Sequence, residues 1–149
     1  MSRDDGYTYI TILIVVFTLA LTALTTWIPS STMSTREKEL ELLFRGRAYV
    51  SAIFSYYHAD AENPALPTSP EDLINDPRFP GKRHIRSLYV DPITASDWAL
   101  IYGSSGGITG VRSQSGLAPL KQTGFSEAFS DFEDSSSYSE WGFVFDPAE

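Results

Sequence analysis

Hydrophobic and polar positions divide the chain into two regimes. No charged residue occurs from Gly6 through Thr35, and the strongly apolar part runs from Ile10 to Ile28. As a helix, that stretch would span about 28 Å, close to the hydrocarbon thickness of a bilayer. Pro29 predicts a kink or an end to it, because proline removes a helix hydrogen bond. Ser34-Thr35-Arg36-Glu37 reads as a capping box that restarts a helix. From Thr35 to about Ala59, Leu40, Leu43, Phe44, Val50, Ile53, Phe54 and Tyr57 recur at helical spacings, which predicts an amphipathic helix with these residues on its core face. Gly46 in mid-helix predicts a close approach to a neighbouring helix or strand.

Prolines 64, 67, 70, 77 and 80 then exclude regular structure over most of residues 60–87. One short helix is expected inside this loop, with Ser69 as cap, Pro70 at its first position and Asp72 completing a capping box. Beyond residue 88 the pattern changes to strands. Trp98–Tyr102 and Ile108–Arg112 predict a hairpin around the turn at residues 103–107, and Glu140–Phe145 predicts a third strand. The long connection between them carries little signal of order. A long helix packed on one face of a small antiparallel sheet is the expected α+β arrangement.

Charge narrows the function classes. With 19 acidic against 11 basic residues the net charge is −8, which repels phosphate backbones and argues against nucleic-acid binding. The basic run Lys82-Arg83-His84-Ile85-Arg86 reads as a solvated turn. The absence of cysteine excludes disulfides, thiolate nucleophiles and Cys-based zinc sites. Ser113 and Ser115 have no evident histidine partner, and "GSSGGITG" lies in a hairpin and lacks the lysine of a phosphate loop. No enzymatic activity is expected.

Three readings compete for the N-terminal segment. A discarded secretory signal needs a basic leader, a short apolar core and a small-x-small cleavage site; here Asp4 and Asp5 accompany Arg3 and the apolar run is long. A plain membrane anchor is the second, and the flanking charges do not decide its orientation. The third rests on a resemblance. A short polar leader ending in Gly6, then Tyr7, Thr8 and an unbroken apolar helix, resembles the signal of type IV pilins and type II secretion pseudopilins. That resemblance implies cleavage after Gly6 by prepilin peptidase, N-methylation of Tyr7 and retention of the helix. Two features depart from the family: the leader is not basic, and Thr11 stands where the fifth mature residue is usually acidic. The second departure points to a minor or divergent subunit.

The run "LYVDPITASDWALI…GGITGVRSQSGLAPLK" and the later "SYSEWGFVF" are similar to pseudopilin heads. In physical terms Asp91 caps a turn stiffened by Pro92, and Trp98 anchors a strand. The resemblance implies a pilin-like fold: leader 1–6, a membrane-spanning and filament-core helix 7–28, and a periplasmic head 29–149. It implies a single-pass inner-membrane protein that assembles through Tyr7, Thr11 and the bend at Pro29 into a pseudopilus or pilus-like filament for protein secretion. Its expected partners are other pilin-like subunits, prepilin peptidase, an inner-membrane assembly platform and lipid. Because major pseudopilins bind calcium near their C-terminal strands, Asp131, Glu133, Asp134 and Glu140 are candidate calcium ligands. Their spacing is not that of an EF-hand, and a solvated acidic loop is the alternative. No other cofactor is expected. The rival function is a single-pass anchored periplasmic binding or adaptor module that does not polymerise.

Overall fold

The computed structural model describes residues 5–147, and the side chains of residues 5–7 and 21–33 lie outside that description. The elements in chain order are helix α1 (Asp5–Tyr57), a 3-10 helix Pro70–Leu73, strands β1 (Ala99–Tyr102) and β2 (Ile108–Arg112), 3-10 helices Glu127–Phe132 and Tyr138–Glu140, and strand β3 (Gly142–Val144). The chain divides into two compact units, Met1–Glu37 and Lys38–Glu149.

In the first unit the helical backbone of α1 continues through Pro29 and Ser34. The break expected at Pro29 and the capped restart after it are therefore absent. A single proline removes one donor, and its φ is compatible with a helix. Among the described residues, no helix is long and apolar enough to cross a membrane. The expected membrane-spanning half-helix and the single-pass inner-membrane location are corrected accordingly, and so is the pilin-like fold class built on them. What stands beyond α1 is three short 3-10 helices and a three-stranded antiparallel sheet.

The second unit holds the core. Its part of α1 buries Glu39, Leu42, Gly46, Tyr49, Ala52, Ile53 and Tyr56, a stripe at helical spacing. This is not the stripe expected from hydrophobicity. Leu40 and Phe44 are 66% and 63% exposed, and Phe54 is also exposed. The true core face contains a carboxylate and a glycine, so reading apolar residues alone rotates the helix by about one position.

Each departure has a packing reason. A Cβ on Gly46 would fall on the ring of Phe143, so the glycine lets β3 lie directly against the helix. The Glu39 carboxylate accepts the Leu120 N–H (2.6 Å), the Lys121 N–H (3.2 Å) and the Tyr138 hydroxyl (2.8 Å).

The sheet order is β1-β2-β3, antiparallel throughout. Leu100 faces Val111, and Val111 faces Phe143 across the next pair. A register shift between Ile101 and Tyr102 leads into a turn where Gly106 has φ 82°, a conformation that favours glycine.

The connection 119–139, expected to carry little order, is instead built into the core, together with Trp141 that follows it. Trp141 is fully buried. It stacks on Phe132 (5.3 Å, 5°) and meets Phe125 and Tyr138 edge-on. Phe132 in turn meets Phe143 edge-on at 5.1 Å. Such contacts add about 0.5–1.5 kcal/mol each beyond area burial, which orders a segment lacking helical or strand periodicity.

The Gly46 contact yields a test. Replacing glycine by alanine in a helix gains about 1 kcal/mol of propensity, but overpacking a core costs about 1–3 kcal/mol. Because Phe143 is enclosed, Gly46→Ala is expected to lower the stability of the second unit in urea unfolding, whereas a control such as Ser51→Ala on the exposed face should not.

Candidate functional site

The residues expected to act in processing and assembly lie in the first unit. Gly6, Tyr7 and Pro29 fall outside the residues whose side chains are described. Thr11 is exposed on α1. Around it Tyr9, Ile10, Ile12, Leu13, Ile14, Val15, Val16, Phe17 and Leu19 are all 50–69% exposed. These positions surround the helix axis rather than forming one stripe. Tyr9, Ile12, Leu13, Val16, Phe17 and Ala20 line one shallow groove along it. The Thr18 hydroxyl lies within hydrogen-bonding distance of the carbonyls of Ile14 (3.0 Å) and Val15 (2.9 Å), so this polar group is satisfied within its own helix. The chemistry on offer is apolar association.

The acidic residues proposed for calcium are not brought together. Among the described residues no group of three or more His, Asp or Glu side chains is placed to hold a metal. Glu133 accepts the Gly124 N–H (3.2 Å). Glu140 accepts the N–H and hydroxyl of Ser136, which hold its carboxyl below the usual range. The Asp131, Glu133, Asp134 and Glu140 reading is thereby corrected: two of the four already serve local turns.

The second unit contains three buried carboxylates whose networks were not anticipated. Asp76 is the most elaborate. It accepts Arg78 Nε at Oδ1 (3.0 Å), Arg78 Nη2 at Oδ2 (2.9 Å), the Arg78 N–H (2.9 Å) and His84 Nε2 (3.1 Å). The far nitrogen of His84, Nδ1, meets Ser55 Oγ at 2.8 Å. Arg78 Nη2 also donates to the Tyr56 carbonyl (2.7 Å), which places a cation on the last turn of α1 where the helix dipole favours it.

The order Ser55–His84–Asp76 is that of a nucleophile relay. Here, however, the carboxylate is clamped bidentately by Arg78 and the imidazole is wholly enclosed, so the chain of bonds serves to staple residues 76–84 to α1. Burial alone would raise the Asp76 pKa, but the hydrogen bonds from Arg78 and His84 outweigh it and hold it at about 2. The pairing was hard to see in advance because the expected solvated turn puts His84 among Lys82, Arg83 and Arg86; only Asp76-Pro-Arg78, an acid two residues from a base, hinted at it.

Asp91 is also fully buried. Its Oδ1 accepts the Ile93 N–H (2.8 Å), and its Oδ2 accepts the hydroxyls of Thr94 (2.9 Å) and Ser113 (2.6 Å). Ser113 Oγ then accepts the Ser115 N–H (3.1 Å), and Ser115 Oγ the Leu117 N–H (3.3 Å). The turn cap expected of Asp91 is thus one end of a relay that carries the chain out of β2. In the proline-rich loop, Asp72 accepts the Ser69 N–H (3.0 Å) as expected, and Leu73 is buried.

Three buried donors have no acceptor among the described residues: Arg78 Nη1, Trp98 Nε1 and Trp141 Nε1. Trp98 lines a pocket of about 260 Å³ beside β1.

Comparison with family models, with curated proteins and with solved structures returns no match to this chain. Nothing in those comparisons places it among the pseudopilins, and that identity, with its secretion system, is set aside together with the membrane span. The functional reading rests on the geometry above.

The Asp76 staple has a pH signature. The folded pKa lies below the ordinary 3.8, so its contribution is complete above about pH 5 and is lost as pH falls toward 2; the shift corresponds to about 2 kcal/mol. Urea unfolding of the wild type between pH 7 and pH 2 should show this loss, and Asp76→Asn should shrink the acid-dependent part while lowering stability at neutral pH.

Proposed function

We propose that the protein is a structural subunit that assembles with copies of itself through its N-terminal helix into a filament. The observation that carries this reading is the ring of nine large apolar side chains from Tyr9 to Leu19, each half or more exposed. A helix that is apolar all round is a buried helix. Each half-covered Leu or Ile gains about 1 kcal/mol or more when fully buried, so the helix has a strong drive toward a partner surface. A bundle of identical helices supplies such a surface on every side. The internal bonds of Thr18 fit this reading, because a satisfied hydroxyl enters an apolar bundle at little cost.

Maturation by cleavage after Gly6 belongs to the same proposal, since it would free the helix of its acidic leader. Two measurements test it. Electron microscopy and sedimentation of the full-length chain should show filaments for the wild type and at least a tenfold loss of sedimenting material for Leu13→Glu with Phe17→Glu, with unfolding of the second unit unchanged. Intact mass of the protein from its native host should give a chain starting at N-methyl-Tyr7, and Gly6→Trp should block that maturation. Filaments that survive the double substitution overturn the assembly reading, and a start at Met1 or Ser2 overturns the processing reading.

A further inference from the structure

The pocket beside β1 combines features that a packing defect would not. Its walls include three aromatic side chains, Tyr49, Tyr89 and Trp98, and two acidic residues, Glu71 and Asp97. The aromatics are held at fixed angles. Tyr49 meets Tyr89 at 6.5 Å and 84°, and Trp98 at 5.9 Å and 62°. The Tyr49 hydroxyl is tied by donation to the Tyr89 carbonyl (3.0 Å), so the ring cannot swing away. Burial raises the Tyr49 pKa, and the nearby negative charge of Asp97 adds to the effect, which places that carboxylate's field on the aromatic wall.

Neither Glu71 nor Asp97 makes a salt bridge among the described residues. The neighbouring cation, Arg45, is 5.7 Å from the Tyr89 ring centre, but its guanidinium is committed to Glu41 (2.7 Å) and to the Val90 carbonyl (2.7 Å). Trp98 is only 6% exposed, so its ring is fixed within the wall.

Aromatic faces carry negative potential and attract cations that have shed part of their water. The carboxylates of Glu71 and Asp97, without ion pairs among the described residues, add to that potential. We infer that this pocket binds an alkylammonium group. A volume of about 260 Å³ admits a lysine side chain or a trimethylammonium head. The inference is independent of filament assembly, because every residue it uses lies in the second unit.

Titration calorimetry of the full-length chain tests it with three probes: choline, Nα-acetyl-lysine methylamide, and 3,3-dimethylbutan-1-ol, the neutral isostere of choline. At least one ammonium probe is expected to bind about tenfold more tightly than the neutral alcohol. Asp97→Asn and Glu71→Gln, both at exposed positions, should each weaken that binding severalfold without changing the unfolding curve. Tighter binding of the lysine derivative assigns a peptide-borne lysine as the source, and tighter binding of choline assigns a quaternary amine. Equal binding of the neutral isostere, indifference to both substitutions, or no saturable binding of either amine overturns the proposal. Running the same titration on the Leu13→Glu, Phe17→Glu chain separates this outcome from any failure of assembly.

Discussion

The second unit depends on holding three carboxyl groups out of water with their oxygens bonded. An unpaired buried charge costs several kcal/mol, so each acid is tolerable only with its lone pairs filled. Asp76 meets the requirement with Arg78 and His84, Asp91 with one amide and two hydroxyls, and Glu39 with two amides and a phenol. Arg78, His84, Ile93, Thr94, Leu120 and Lys121 donate from stretches without regular structure, while Tyr138 opens a 3-10 helix and Ser113 follows β2. The carboxylates are thus the pins by which residues 76–84, 91–96 and 117–138 are fixed to a scaffold of one helix and three short strands. A sheet this small buries too little to order such long connections by itself. The burial of Glu39 also explains the rotation of α1: turning Leu40 inward would carry the carboxylate out and leave the Leu120 and Lys121 N–H groups unpaired.

Those networks differ in how they fail. Asp76 is matched by a charge, so losing either partner strands the other. Asp91 and Glu39 are matched by neutral donors, which are weaker singly but do not require a second desolvated ion. The aromatic set around Trp141 supplies the remaining cohesion, and it reaches β3 through Phe143, the same ring that lies against Gly46. Helix, sheet and connection therefore converge on one side chain.

Much of the strand layout was legible because its cues are local. Trp98–Tyr102 and Ile108–Arg112 are β-rich runs around a glycine turn, and the capping box at Ser69 needs only four residues. The core face of α1 was not legible from apolar residues, because two of the positions that define it are Glu39 and Gly46. Their burial is explained by Leu120, Tyr138 and Phe143, all far along the chain. The same holds for Asp76: its partner Arg78 is two residues away, but its meaning depends on Ser55 and His84 arriving from α1 and the loop. The candidate calcium ligands failed for the opposite reason. Glu133 and Glu140 accept a glycine or serine amide from a local turn, and the four acids do not converge. The apolar N-terminal run was plain from its composition, but composition alone could not separate a span of lipid from a surface for other helices.

That distinction bears on how copies of this helix, under the proposed assembly, would find their register. Aliphatic side chains on all sides of a helix attract partners strongly but with little direction, because burial is nearly indifferent to small slides and rotations. Hydroxyls such as that of Thr18, bonded within the helix, add no intermolecular instruction. Registry then has to come from groups whose energy changes steeply with position: charges, hydrogen-bond donors and large side chains set in defined places. The second unit presents these in quantity. Leu40 and Phe44 stand outward, Arg47 and Lys121 lie over Phe129 and Phe125 at the rim of a groove, and Glu71 and Asp97 are without ion pairs among the described residues. Under the proposed assembly a division of labour would follow: the N-terminal helix would supply the drive to associate, and the second unit the specificity that an apolar helix cannot encode.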